Sequence, residues 1–114
     1  MKREFLDFIE DILDAMDKAE AMLSDIDFET FKENYQINFA VVRAMEIIGE
    51  ATKRLPESFR NKYPEIPWKD MAGMRDRIIH GYDAVNLEIV WATVKTRIPE
   101  LKPKIQRILA EHDG

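Results

Sequence analysis

No cysteine occurs in the 114 residues. Disulfides and thiolate metal sites are therefore excluded, and a reducing compartment is compatible. Glycine is scarce, at 4 residues, and β-branched runs are short, so the usual composition of a sheet protein is missing. No stretch approaches the ~18 apolar residues that a membrane span requires, and no membrane association is expected. The opening Met1-Lys2-Arg3-Glu4-Phe5 turns amphipathic and acidic at once, which does not fit a secretory signal. A cytoplasmic location is expected. Positive charge is also in deficit, with 17 Lys and Arg against 22 Asp and Glu, for a net charge of −5. That argues against a broad nucleic-acid-binding surface, which is normally basic. It leaves room for a local basic pocket built from few residues or from two chains.

What is present favours helix. Ala, Leu, Met, Glu, Lys and Arg are plentiful. Hydrophobic residues make up 46% and charged residues 34%, which excludes a disordered chain. Residues 1–114 are read as one domain, large enough to bury about two-thirds of its unfolded surface.

Phe5, Ile9, Ile12, Met16, Ala19 and Leu23 recur at steps of four and three and predict a first helix suited to a long, near-parallel partner. Ser24-Asp25-Ile26-Asp27 breaks the pattern and supplies cap candidates. A second helix is expected from about Phe28 to Leu55, with Phe31, Tyr35, Phe39, Val42, Met45 and Ile48 as its apolar stripe, ended by Pro56. Residues 56–67 read as a connector with one helical turn around Ser58–Lys62. Pro67 suits the first position of a third helix, expected to run to about His80, where Gly81 can end it. Asn86 reads as the N-cap of a fourth helix through Leu87, Val90, Trp91, Val94 and Ile98. Pro99 and Pro103 predict a kink or break before a final segment to about Glu111. The sum is an all-α, four- to five-helix up-and-down bundle.

Within that bundle Arg43, Glu46 and Glu50 share a helix face and predict a buried polar network; the alternative is that Arg43 or Glu46 lines a cleft. Gly49, costly in a helix interior, predicts a close helix–helix approach. Trp68 and Trp91 lie in apolar stripes and read as core or interface anchors.

The chemistry-bearing segment is Met74-Arg75-Asp76-Arg77-Ile78-Ile79-His80-Gly81-Tyr82. His80 can accept and return a proton near neutral pH. Arg75 offers a fixed fork of donors to a phosphate or a developing negative charge. Together they suffice for metal-free attack of an RNA 2′-hydroxyl on the neighbouring phosphate. Asp76, four residues before His80, can orient the imidazole or fix its tautomer. On an ideal helix Arg75 and His80 point about 140° apart. Either the helix ends between them or two chains share the site, as a twofold dimer allows. The bare spacing is weak evidence: about 0.14 such Arg-to-His matches are expected by chance. Arg107 and His112 repeat it, but Ile108 follows that arginine and no tyrosine follows that histidine.

The flanks carry more. The segment 74–82 resembles the HEPN superfamily and, within it, the HepT-like toxin family. Val42-Arg43-Ala44-Met45-Glu46-Ile47-Ile48-Gly49-Glu50-Ala51 is similar to that family's second helix, and Ile66-Pro67-Trp68-Lys69-Asp70-Met71 to its entry into the third. Val90-Trp91 and Ile98-Pro99-Glu100-Leu101 fit as well, so the resemblance spans nearly the whole chain in order.

The resemblance implies a HEPN-like helical bundle acting as a metal-independent ribonuclease, the toxin of a type VII toxin–antitoxin pair. Arg75, Asp76 and His80 would be its catalytic residues, in a composite site at a homodimer interface. Tyr82 would be the tyrosine that a minimal nucleotidyltransferase antitoxin, MntA, silences by adding AMP. No metal and no cofactor are expected; the partners would be a second copy, the antitoxin and a tRNA or mRNA substrate. The rival reading is a non-catalytic HEPN module that binds nucleotide or substrate for a nucleotidyltransferase, which the acidic charge suits.

Overall fold

The computed structural model describes residues 3–78 and 85–113, and every described secondary-structure element is helical. The all-α bundle has four rods, two of them interrupted. The first is helix α1, Arg3–Leu23. Its stripe buries as expected, with Leu6 and Ala15 added and Phe5 only half-buried. α1 packs against α3, Tyr35–Arg54, and against the last helix, α8, Ile98–Asp113. Lys102 of α8 holds Asp17 and Glu20 of α1 at 2.6 and 2.7 Å. No described helix is long and apolar enough to cross a membrane.

The second rod departs from the single helix expected over residues 28–55. It consists of α2, Phe28–Glu33, and α3, joined at Asn34. Asn34 is extended (φ −96°, ψ 94°), and its Oδ1 accepts from the Ile37 N–H at 3.2 Å, capping α3. The buried Asn38 side chain donates to the carbonyls of Phe31 and Lys32 at 3.2 and 3.3 Å, two acceptors orphaned at the end of α2. The bend is thus held by side-chain amides rather than by proline. It also re-aims the stripe. Phe31, Met45 and Ile48 are buried, whereas Tyr35 and Phe39 stand 66% and 72% exposed with their rings 6.2 Å apart. The face that reaches the core carries Asn38, Val41, Met45 and Ile48 instead.

The connector holds one short helix, α4, Glu57–Arg60. Phe59 contacts Phe5 and Trp68 edge-on. The third rod breaks at Gly73 into α5, Trp68–Ala72, and α6, Met74–Ile78. Trp68 is buried, and its Nε1 donates to the carbonyls of Arg60 and Tyr63 at 3.1 and 3.0 Å. The expected helix end near His80 and Gly81 lies outside the described residues.

The last rod opens at Asn86, whose Oδ1 accepts from the Ile89 N–H at 3.0 Å, as expected of a cap. Helix α7, Leu87–Ala92, runs through a wide π turn, Thr93–Arg97, directly into α8. No break forms at either Pro99 or Pro103, and both lie within α8. A proline at 99 lacks an N–H and its ring crowds the carbonyl four residues back. A wider turn, in which the Ile98 N–H reaches the Thr93 carbonyl, lies immediately before this proline and gives the chain room to pass it. Trp91 is half-buried against Phe28 and Phe31, with the Lys95 ammonium 4.9 Å from its ring centre.

Candidate active site

Arg75 and Asp76 sit in α6, beside the middle of α3. The Arg75 Nε donates to Glu46 Oε2 at 3.1 Å, joining residues 29 apart in sequence. The Glu46 side chain is the more enclosed partner, 24% exposed against 49% for Arg75. Asp76, at 66% exposure, leaves an oxygen 3.9 Å from the Arg75 guanidinium. His80 and Tyr82 lie outside the described residues, so the expected Asp76–His80 pairing and the expected modified tyrosine have no described geometry.

Gly49 explains how the two helices come so close. A Cβ built there would lie 3.3 Å from the Ala72 carbonyl oxygen, 3.6 Å from that of Met71 and 3.9 Å from the Arg75 backbone nitrogen. All three are backbone atoms, which cannot rotate away. The close approach expected at Gly49 is therefore present, and it falls one turn after Glu46 on the same face of α3.

The buried network expected of Arg43, Glu46 and Glu50 is absent. Arg43 and Glu50 form an exposed pair at 3.3 Å, 58% and 54% accessible. Glu46 turns instead toward Arg75. Position 46 lies about 60° around the helix from position 43 and about 40° from position 50, enough for α6 to capture one of the three.

The second Arg–His pair is placed apart from this site. Arg107 and His112 lie on α8, and His112 Nε2 sits 2.9 Å from the Tyr63 hydroxyl. Burial, then the nearby Glu111, push the Tyr63 phenol above its ordinary value.

Residues 12–108 match the family model described as "Ribonuclease HepT-like". The chain belongs to the HepT-like ribonuclease family. It is 46% identical over 108 residues to the probable ribonuclease HepT of Thermococcus cleftensis, covering 95% of this chain and 98% of that one. Two proteins named as putative RNases are similarly close. One, from Methanocaldococcus jannaschii, is 44% identical over 110 residues, with 96% of this chain and 95% of the other covered. The second, from Caldanaerobacter subterraneus subsp. tengcongensis, is 43% identical over 102 residues, with 90% and 91% covered. No solved structure gives a significant match.

In this HepT-like chain the partner of Arg75 is what residue spacing missed. Glu46 was visible only as one of three polar residues on a helix face. The adjacent Gly49 was the one signal of where the third rod would press against the second.

Proposed function

We propose that this chain is a metal-independent RNA endonuclease and the toxin of a type VII toxin–antitoxin pair. What carries the reading is membership of a ribonuclease family together with a half-exposed Arg75 held at one edge of its guanidinium. In this reaction His80 takes the proton from an RNA 2′-hydroxyl. The 2′-oxygen attacks the adjacent phosphorus, the bond to the 5′-oxygen breaks, and that oxygen takes up a proton. The products are a 2′,3′-cyclic phosphate and a 5′-hydroxyl. Arg75 binds the phosphate and offsets the charge that builds on it. Asp76 orients the His80 imidazole.

A homodimer completes the site. Tyr35, Phe39, Val42, Glu46 and Gly49 lie on one face of α3. The third rod covers that face at Gly49 and Glu46. At Tyr35 and Phe39 the same face is bare. Adjacent exposed aromatics beside Glu33 and Gln36 suit a protein surface better than a phosphate backbone. A second copy seated there lies along the ridge that ends at Arg75.

Silencing follows from AMP transfer. The Tyr82 phenol oxygen attacks the α-phosphorus of ATP on an MntA-like nucleotidyltransferase, and pyrophosphate leaves. The acidic balance of the chain favours the second reading, a non-catalytic binding partner of such an enzyme.

Cleavage of tRNA or mRNA by the wild type and by His80→Ala, each with and without EDTA, tests the nuclease. The wild type should cut in EDTA and the variant should not; equal cutting by both would refute the role of His80, and no cutting by either would leave the binding-module reading. Intact mass after incubation with ATP and the nucleotidyltransferase should rise in AMP steps that vanish in Tyr82→Phe.

A further inference from the structure

We infer that Glu46 is a positioning residue for RNA cleavage, acting through Arg75. The inference rests on the nuclease reading above. An arginine on a helix surface has several rotatable bonds and samples many rotamers, so presenting its fork to a phosphate carries an entropic cost. Here one edge of the fork is fixed in advance. The Nε–H is held by Glu46 at 3.1 Å, which leaves the two terminal nitrogens, one of them 3.9 Å from an Asp76 oxygen, as the pair of donors for a phosphate. Glu46 is itself the better-anchored partner, on a twenty-residue helix and only 24% exposed. Gly49 sets the distance, because backbone atoms of Met71, Ala72 and Arg75 crowd the space any larger residue would need.

The carboxylate also has a cost. A negative charge beside a phosphate site weakens substrate binding by repulsion. Orientation and repulsion therefore separate under substitution. Glu46→Gln keeps an acceptor for the Arg75 Nε–H and removes the charge. Glu46→Ala removes both. Because the pair is partly exposed, neither change should move the melting temperature by more than a few degrees.

The experiment is steady-state RNA cleavage by wild type, Glu46→Gln, Glu46→Ala, Arg75→Ala and Glu46→Ala/Arg75→Ala, with melting temperatures measured alongside. Glu46→Ala is expected to lose about 10- to 100-fold in kcat, the range a misplaced catalytic group produces, with KM unchanged or lower. Glu46→Gln is expected to keep kcat within about threefold of the wild type and to lower KM, since its acceptor still holds Arg75. The double variant should be no slower than Arg75→Ala alone, because Glu46 has nothing left to position. An inactive Arg75→Ala beside a fully active or faster Glu46→Ala overturns the positioning role and leaves the nuclease site standing. Equal losses in Glu46→Gln and Glu46→Ala overturn it as well. A fully active Arg75→Ala removes the site and the positioning together.

Discussion

Asn38→Ala should unfold this protein at a distinctly lower temperature, although the position is on a helix and alanine is the better helix former. The amide is 6% exposed and donates to the Phe31 and Lys32 carbonyls, both at the broken end of α2. Removing it leaves one buried and one part-buried acceptor without that donor. A buried acceptor so stranded costs about 1–3 kcal/mol, and the more accessible one less, since water can reach it. The gain in helix propensity returns roughly 0.5 kcal/mol. The balance is a loss of about 2 kcal/mol, which for a chain of this size lowers the melting temperature by roughly 8–12 °C. Helical circular dichroism during heating, at one fixed protein concentration, measures it. Asn38→Asp is the sharper control. It keeps the shape, loses both donors and sets a carboxylate against two carbonyls, so it should melt no higher than Asn38→Ala. If Asn38→Ala melts within about 2 °C of the wild type, the bend is held by something other than this amide, and the account of the second rod is wrong.

Four further outcomes follow from the same physics. Phe39→Glu, at a bare position, should leave the helical signal intact; on the proposed pairing through α3, light scattering should give a dimer for the wild type and a monomer for the variant, and RNA cleavage should fall with assembly. Gly49→Ala should forgo the stabilisation of about 1 kcal/mol that alanine normally gives in a helix, because its Cβ meets the Ala72 carbonyl at 3.3 Å; a full rise in melting temperature would show that the third rod yields freely. Trp68→Phe keeps the ring but not the Nε1 donor shared by Arg60 and Tyr63, and should lose about 1–3 kcal/mol in a urea titration. Burial and Glu111 raise the Tyr63 phenol above its ordinary 10.0, so the folded state holds that proton more tightly than the unfolded chain. Its contribution is complete below about pH 10 and is lost as pH rises through the folded value, so Tyr63→Phe should show a shallower alkaline decline in stability.

Local chemistry was legible in the residues themselves. The stripe of α1, the Asn86 cap and the tight approach at Gly49 each followed from periodicity, side-chain reach or backbone freedom. What escaped was decided across distance. Asn34 and Asn38 fall inside the run expected to be one helix, and their role appears only once α2 ends beside them. Pro99 and Pro103 signalled a break because proline strains a standard helical turn, yet a wider turn precedes Pro99, Pro103 lies inside α8, and nothing in the spacing foretells either. At the site, the residue types and the family resemblance pointed to Arg75, but no local rule links it to a carboxylate 29 residues earlier. That link depends on where two helices cross, which a pattern read along one helix does not contain.

The placement of the two tryptophans has an optical consequence. Trp68 packs on Phe59 and Trp91 on Phe28 and Phe31, and neither has a described ring contact with Tyr35 or Phe39. Indole emission should therefore follow loss of the folded core while staying largely indifferent to events on the exposed ridge. Unfolding of the core can thus be followed in an unlabelled sample even while the exposed ridge is being mutated or covered.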